Sequence, residues 1–277
     1  MPDDDLGSKL QETRDRYVVI KHLMKIGLYP DDIALQVKPE KPAQVLKAAS
    51  LDDVVEISPG VPLLRREYDV LVEFCQQCNL KPAEEIQHLY ENLCITVANG
   101  HVIGLNPALN PSYENLRYIP ESIGALENLR KLILSDSQIS ELPESFCNLK
   151  NLRELYMAVN KIVALPNSFG SLTNLVELDL AVNSLTYLPD SFTKLKKLKN
   201  LYLEDNQFRL FPEQILQLRN LGVVTLHNNY FSDVPPLYQL SKLTWISIPK
   251  HMDTHKVQRN STTTVDDFYL RLPELFL

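Results

Sequence analysis

A pattern of apolar positions recurs every 23 residues between Leu129 and about Ile248. In each copy the first, fourth and sixth positions are apolar, and polar or charged residues mostly fill the positions between them. Five full copies and a shorter sixth begin at Leu129, Leu152, Leu175, Leu198, Leu221 and Leu243. Alternation of apolar and polar residues over a few positions is typical of a half-buried β-strand. We therefore predict six short strands that share one frame.

Two further positions recur in that frame. An asparagine stands three residues after most of the predicted strands, at Asn160, Asn183, Asn206 and Asn229, and the first copy has Ser137 instead. We expect each asparagine to turn inward and bond to the backbone of the bend, since buried backbone groups need partners. An apolar residue and a proline then close each copy, at Pro143, Pro166, Pro189, Pro212 and Pro235. Because proline fixes φ, this step predicts a short helical or 3₁₀ turn on the outer side.

This order of positions resembles the leucine-rich repeat. It is similar to the intracellular 23-residue class with an L-P step, as in Ras-group scaffolds and bacterial effectors, over about residues 95–249. The resemblance implies an α/β solenoid with a parallel concave sheet and short helical or 3₁₀ convex turns. One repeat cannot bury its own apolar face, so stability comes from stacking neighbours. The resemblance also implies a role in binding proteins.

The N-terminal third of the chain has no repeat, and we predict an α-helical domain over residues 1–94. Ser50–Asp53 resembles a capping box that opens a short segment through Ile57. Stronger helices are predicted over about Leu63–Leu80 and Pro82–Leu93, where apolar residues fall on one face. We expect this domain to pack on the open end of the repeats.

Short caps are predicted on both sides of the repeats. Residues 95–128 predict a hairpin about Asn99-Gly100 and an irregular first repeat, because Asn-Gly is a strong two-residue turn signal. Residues 129–248 are the repeats themselves. Residues 249–277 predict a C-terminal cap, in which Thr264–Asp267 would open a final amphipathic helix over the last strand. Without a cap, the last repeat would expose a bare sheet edge.

Composition and charge exclude several classes of function. The net charge of −7 argues against a nucleic-acid partner, which usually needs a basic surface. The basic run Lys194–Lys199 is interpreted as a solvated outer turn. No stretch has the ~20 apolar residues of a membrane span, and the acidic start is unlike a signal peptide. We therefore expect a cytoplasmic protein, with secretion as an effector left open.

One cysteine motif suggests chemistry. Cys75 and Cys78, with His88 and Cys94, would allow a zinc site, and Cys75 with Cys78 alone would allow a redox pair. Core packing is the favoured interpretation, because leucines interleave these residues on a helical face. The chain has no P-loop and no G-x-G-x-x-G motif. We expect no enzymatic activity, no metal and no cofactor.

The candidate binding site lies between the inward-facing leucines, because side chains alternate along a strand. The predicted partner-binding residues on the concave face are Ile133, Glu154, Tyr156, Glu177, Asp179, Tyr202, Glu204, Thr225, His227 and Trp245. We expect Tyr156, Tyr202 and Trp245 to expose aromatic surface, and Asp179 to point to solvent. A partner would then be a protein that brings basic and apolar side chains. In the alternative, the helical N-terminal domain is the main recognition module and the repeats are a scaffold.

Overall fold

The computed structural model describes residues 54–58, 61–91, 94–107, 113, 116–237, 239–249, 264–266 and 269–271. The predictions made for residues 1–53 lie outside these ranges. The first described elements are the strands β1 (Val54–Ser58) and β2 (Val61–Leu64), followed by the helices α1 (Arg65–Gln77) and α2 (Pro82–Glu91). The strands β3 (Ile95–Ala98) and β4 (His101–Leu105) then lead into the repeats.

Each repeat contributes one three-residue strand. The strands are β5 (Lys131–Ile133), β6 (Glu154–Tyr156), β7 (Glu177–Asp179), β8 (Asn200–Tyr202), β9 (Val223–Thr225) and β10 (Trp245–Ser247). Strands β4 to β10 pair in parallel and in chain order. Short 3₁₀ helices separate them, at Glu121–Ala125, Glu144–Asn148, Phe169–Ser171, Asp190–Lys194 and Glu213–Gln217. The predicted strands are confirmed, as are the outer turns after Pro143, Pro166, Pro189 and Pro212, whereas no 3₁₀ helix follows Pro235 among the described residues.

The core is a column of side chains between the strands and the 3₁₀ helices. The central residue of each strand is fully buried, at Leu132, Leu155, Leu178, Leu201, Val224 and Ile246. Phenylalanines close the column from the 3₁₀ side, and the rings of Phe169 and Phe192 stack with centroids 6.1 Å apart. The column holds together only as a stack, because each of these side chains is covered by neighbouring repeats.

The ladder asparagines join neighbouring repeats through their side chains. Oδ1 of Asn183 accepts the Ile162 N–H at 2.9 Å, and Nδ2 donates to the Met157 carbonyl at 2.9 Å. Nδ2 also lies 3.1 Å from the carbonyls of Leu180 and Ala181. Asn160, Asn206 and Asn229 repeat this pattern. The predicted inward turn of the asparagines is confirmed.

The residue before each ladder position has a left-handed backbone. Its φ is between 53° and 59° at Asp136, Val159, Val182, Asp205 and Asn228. Asp and Asn tolerate this conformation, whereas a β-branched valine is strained in it. The two valines therefore oppose folding locally, although each is half-buried between its neighbours.

We expect Val182→Asn to raise the free energy of unfolding by about 1 kcal/mol, since asparagine adopts positive φ at lower cost. Urea denaturation measures the change. The reverse substitution, Asn228→Val, should lower the free energy by a similar amount at the same position of a later repeat. If both substitutions destabilise equally, conformational strain is not the controlling factor.

The prediction of a helical segment through Ile57 was wrong, whereas the helix predicted over about Leu63–Leu80 is confirmed as Arg65–Gln77. Residues 54–64 form the antiparallel pair β1–β2, in which Val54 pairs with Leu64, and α1 begins at Arg65 rather than Leu63. The valines on both sides of a Pro-Gly sequence favour strands over the short helical segment that we predicted. The helix over Pro82–Glu91 is confirmed. The N-terminal region is therefore not wholly helical in its described part.

The C-terminal cap is also built from strands. Strands β11 (Thr264–Asp266) and β12 (Tyr269–Arg271) pair antiparallel, and β12 pairs with β10. The predicted amphipathic helix at Thr264–Asp267 is wrong for these residues. The free edge of β10 offers a row of unpaired backbone groups, and an added strand satisfies them directly. At the other end, the predicted hairpin of β3 and β4 is confirmed.

The two helices share one apolar core with the first repeats. Val70, Leu71 and Phe74 of α1 are buried in the same cluster as Leu105 and Leu116. A buried carboxylate also fastens this junction. Glu67 accepts the backbone N–H of Val102 at 2.6 Å and bonds to Nδ1 of His101 at 2.6 Å. The described helices are therefore part of the solenoid's N-terminal end.

Candidate functional site

The open face is the side of strands β5 to β10 that points away from the core. The strand register aligns one row of side chains at Lys131, Glu154, Glu177, Asn200, Val223 and Trp245. A second row holds Ile133, Tyr156, Asp179, Tyr202, Thr225 and Ser247. Glu204 and His227 follow β8 and β9 by two residues. The structure thus brings all ten predicted site residues to one face.

A lysine, a glutamate and a tyrosine form one cluster at the β5–β6 end of this face. Nζ of Lys131 lies 2.9 Å from Oε2 of Glu154 and 5.5 Å from the centroid of the Tyr156 ring. The Tyr156 hydroxyl donates to the same Glu154 oxygen at 3.4 Å. These contacts fix the ring in place, and they occupy the only lysine in the two rows.

The open face is more enclosed than we predicted. Tyr156 is only 8% exposed, because Lys131 and Glu154 cover it. Asp179 is only 9% exposed and accepts the Ala181 N–H at 3.0 Å, so the prediction that it points to solvent was wrong. Ile133, Glu154 and Thr225 are also buried. Tyr202 and Trp245 are half-buried and provide the accessible aromatic surface of the face.

The charge on the open face is unbalanced. Four carboxylates, at Glu154, Glu177, Asp179 and Glu204, share the face with Lys131. Burial raises the pKa of Glu177, and the Tyr156 hydroxyl partly offsets this effect while the charge of Glu154 adds to it. The raised pKa means that the protein disfavours the ionised form of Glu177. A cation that approached this carboxylate would reverse the effect.

The β8–β10 end of the face is lined by polar side chains. Thr225 donates to Glu204, and Nδ1 of His227 forms a 2.8 Å hydrogen bond with the Ser247 hydroxyl. Asp205, in the turn after β8, accepts from Nδ2 of Asn228 at 2.9 Å through Oδ1. Its Oδ2 is buried and has no hydrogen-bond partner among the described residues. Burial raises the pKa of Asp205, against the opposing effects of Asn228 and His227.

The most exposed large apolar side chains lie elsewhere, and our sequence analysis missed them. We call these residues the apolar flank: Tyr118, Val163, Tyr187, Leu210 and Tyr230, of which the last four follow a ladder position by one to four residues. Backbone hydrogen bonds join successive repeats here, including Tyr230 N–H to the Phe208 carbonyl at 2.8 Å. These residues fall outside the buried positions of the repeat frame, so the frame could have predicted that they are exposed.

The cysteines are packed into the core of the N-terminal end. Cys75 is fully buried and lies 3.3 Å from the Tyr113 hydroxyl. Burial raises the pKa of the Cys75 thiol to about 11, and it also raises the pKa values of Cys78 and Cys94. Such thiols stay protonated at neutral pH, whereas thiolates are the nucleophiles and metal ligands. These observations favour the core-packing interpretation.

No group of three or more His, Cys, Asp or Glu side chains among the described residues is arranged to hold a metal ion. Neither α1 nor α2 has the length and apolar character that a bilayer crossing requires.

Comparison with known proteins finds a family match over part of the repeats. Residues 108–202 match the family model of a leucine-rich repeat region. The parallel sheet and its 3₁₀ turns fit a leucine-rich repeat solenoid, in agreement with this match. The match also supports a protein-binding role, because stacked repeats present extended binding surfaces.

Several solved structures are similar to part of the chain. A leucine-rich repeat protein of Leptospira interrogans is 31% identical, over 53% of this chain and 44% of that one, with a TM-score of 0.46. The ectodomain of the receptor kinase SOBIR1 from Arabidopsis thaliana is 32% identical, over 41% and 65%, with a TM-score of 0.38. The ectodomain of the Arabidopsis thaliana receptor kinase GASSHO1/SCHENGEN3, solved with Casparian strip integrity factor 2, is 30% identical, over 49% and 17%, with a TM-score of 0.45.

The chain thus spans less than half of the Leptospira interrogans protein and about two thirds of the SOBIR1 ectodomain. The search of curated proteins gives no match.

Proposed function

We propose that this protein binds a protein partner through the open face of its repeats, and that it does so without catalysis. The observation that carries the proposal is the charge on the face, where four carboxylates share one lysine. Half-buried Tyr202 and Trp245 lie in the same rows. Aromatic side chains next to uncompensated charge are typical of interface hot spots. The partner would present basic and apolar side chains.

The geometry suggests where such a partner makes its contacts. A lysine or arginine near Glu177 would stabilise the ionised carboxylate, whose pKa is raised by burial. Apolar side chains would cover Tyr202 and Trp245. The interface would therefore have a charged part around Glu177 and an aromatic part around Tyr202 and Trp245.

We further propose that the repeats belong to the intracellular L-P class, similar to Ras-group scaffolds and bacterial effector repeats, and act in the cytoplasm. The L-P step and the 23-residue frame support this assignment. In the alternative function, residues 1–94 carry the main recognition. A photocrosslinking residue placed at Tyr202 in the full chain distinguishes the two, since only open-face binding gives a crosslinked partner from that position.

Substituting both accessible aromatics should weaken partner capture. We expect Tyr202→Ala with Trp245→Ala to reduce affinity about 30-fold, because truncation of hot-spot aromatics costs about 2 kcal/mol or more. Affinity for the crosslinked partner would be measured by titration calorimetry, with circular dichroism to establish that the fold is intact.

The matched control changes the same number of exposed apolar residues on the apolar flank. Tyr187→Ala with Leu210→Ala should leave affinity within about twofold of the parent chain. If the flank variant loses binding and the open-face variant retains it, the open face is not the site. Binding should also weaken as salt rises, because charge on the face is part of the attraction.

A further inference from the structure

Eight cations of the repeats lie in the segments that precede the strands, and we call this surface the basic flank. It comprises residues 146–153, 169–176, 192–199, 215–222 and 239–244, each of which ends at the residue before the next strand. The first four ranges include the last residues of a 3₁₀ helix, and three of those helices begin with an acidic residue just outside the flank, at Glu144, Asp190 and Glu213. These five segments contain no Asp or Glu, and their eight cations are Lys150, Arg153, Lys194, Lys196, Lys197, Lys199, Arg219 and Lys242. All eight are exposed. In a chain with a net charge of −7, this segregation is not a consequence of composition.

Contacts between repeats make this flank continuous. The Lys199 N–H donates to the Val176 carbonyl at 2.8 Å, and the Gly222 N–H donates to the Lys199 carbonyl at 2.8 Å. Asparagine side chains add a second ladder, in which Asn174 donates to the Lys150 carbonyl and Asn220 to the Lys196 carbonyl, each at 2.7 Å. Four of the five segments carry cations, and 169–176 carries none, so the cations of 192–199, 215–222 and 239–244 lie on adjacent repeats and those of 146–153 lie one repeat beyond the gap.

The positive charge of the flank is not neutralised within the described structure. The Nζ atoms of Lys197 and Lys242 bond to neutral side-chain amides at 2.6 Å. Those of Lys150 and Lys196 bond to backbone carbonyls. None of the eight forms an ion pair with another described residue. A row of like charges is unfavourable for the free protein, and an anionic partner would relieve it.

We propose that the basic flank binds an extended acidic segment of a partner protein, on a surface separate from the open face. Parallel strands are about 4.8 Å apart, so the four spacings from β6 to β10 cover about 19 Å. An extended chain rises about 3.3 Å per residue, and about six residues would span the flank. Side chains on one side of that segment recur about every 6.6 Å, so about three carboxylates would face the cations of the flank.

Other polyanions fit this surface less well. Single-stranded nucleic acids are usually held by base stacking on aromatic side chains, and the exposed aromatics of the described repeats lie on the apolar flank instead. Duplexes carry one charge per about 1.7 Å, and the adjacent carboxylates of the open face would repel them strongly. A membrane surface would favour exposed apolar anchors beside the lysines, and none of the large exposed apolar residues in the described chain is here.

The test is binding of a labelled peptide of alternating glutamate and serine, about twelve residues long, to the full chain. We expect Lys196→Gln with Lys199→Gln to weaken this binding about tenfold, and rising salt to weaken it further. The matched control is Lys161→Gln with Arg209→Gln, which removes the same charge from exposed positions outside the flank. The control should bind the peptide like the parent chain.

Three outcomes would overturn the proposal. The first is no binding of the acidic peptide by the parent chain, and the second is an equal loss in the flank variant and its control. The third is equal or tighter binding of random-sequence duplex DNA, or of phosphatidylserine vesicles, with the same dependence on Lys196 and Lys199. The variant Tyr202→Ala with Trp245→Ala should still bind the peptide, so failure of open-face binding and failure of the basic flank are distinguishable.

Discussion

Asn183→Ala should lower the free energy of unfolding by about 3–5 kcal/mol, because several buried backbone groups lose their partner at once. The substitution removes the acceptor of the Ile162 N–H and the donor to the Met157, Leu180 and Ala181 carbonyls. Asn183 is only 8% exposed, so water cannot easily replace these bonds. Urea denaturation followed by circular dichroism gives the free energy and the cooperativity of unfolding.

The chain contains its own control for this prediction. Ser137 occupies the same position in the first full repeat, and the neighbouring Leu116 N–H donates to the Tyr113 carbonyl at 3.0 Å instead. Since that donor already has an acceptor, Ser137→Ala should cost less than about 1 kcal/mol. Similar losses at Asn183 and Ser137 would contradict the view that backbone satisfaction explains the asparagine ladder.

The repeat frame could be predicted from the sequence because its causes are local. Strand positions alternate, proline fixes the start of a turn, and each asparagine bonds within its own bend and to the preceding repeat. The register of the sheet then follows, because only one alignment buries all the leucines. Alternation within that register is sufficient to assign the ten candidate residues to one face.

The ends of the solenoid could not be predicted in the same way. Residues 54–58 became a strand through pairing with residues 61–64, and residues 269–271 through pairing with β10. Both depend on partners that are not apparent from periodicity over so few residues. A short apolar segment is ambiguous between helix and strand until its neighbours are known. Pairing with strands elsewhere in the fold therefore determines that these residues form strands.

The solvent exposure of the side chains in the candidate site could not be predicted from the sequence either. Alternation indicates which way Tyr156 points, but not that Lys131 on the adjacent strand covers its ring. Nor does it show that Asp179 folds back onto the Ala181 N–H. Such contacts depend on rotamers and on side chains from two repeats. The accessible part of the open face consequently shifts toward Tyr202 and Trp245.

Leu178→Ala should lower the free energy of unfolding by about 2–5 kcal/mol, the range for large-to-small substitutions in a packed core. Leu178 is fully buried at the centre of β7, between Leu155 and Leu201 of the adjacent strands. The repeats on both sides are held by their own contacts and cannot collapse into the cavity, which places the cost in the upper part of this range.

Its neighbour in the strand provides the comparison. Asp179→Ala should cost about 1 kcal/mol, because it removes the acceptor of the Ala181 N–H but leaves the column intact. Thr173→Ala, at an exposed position before the same strand, should change stability by less than about 0.5 kcal/mol. A loss at Asp179 as large as that at Leu178 would mean that the register is shifted by one residue. Every side chain assigned to the open face would then belong to the core.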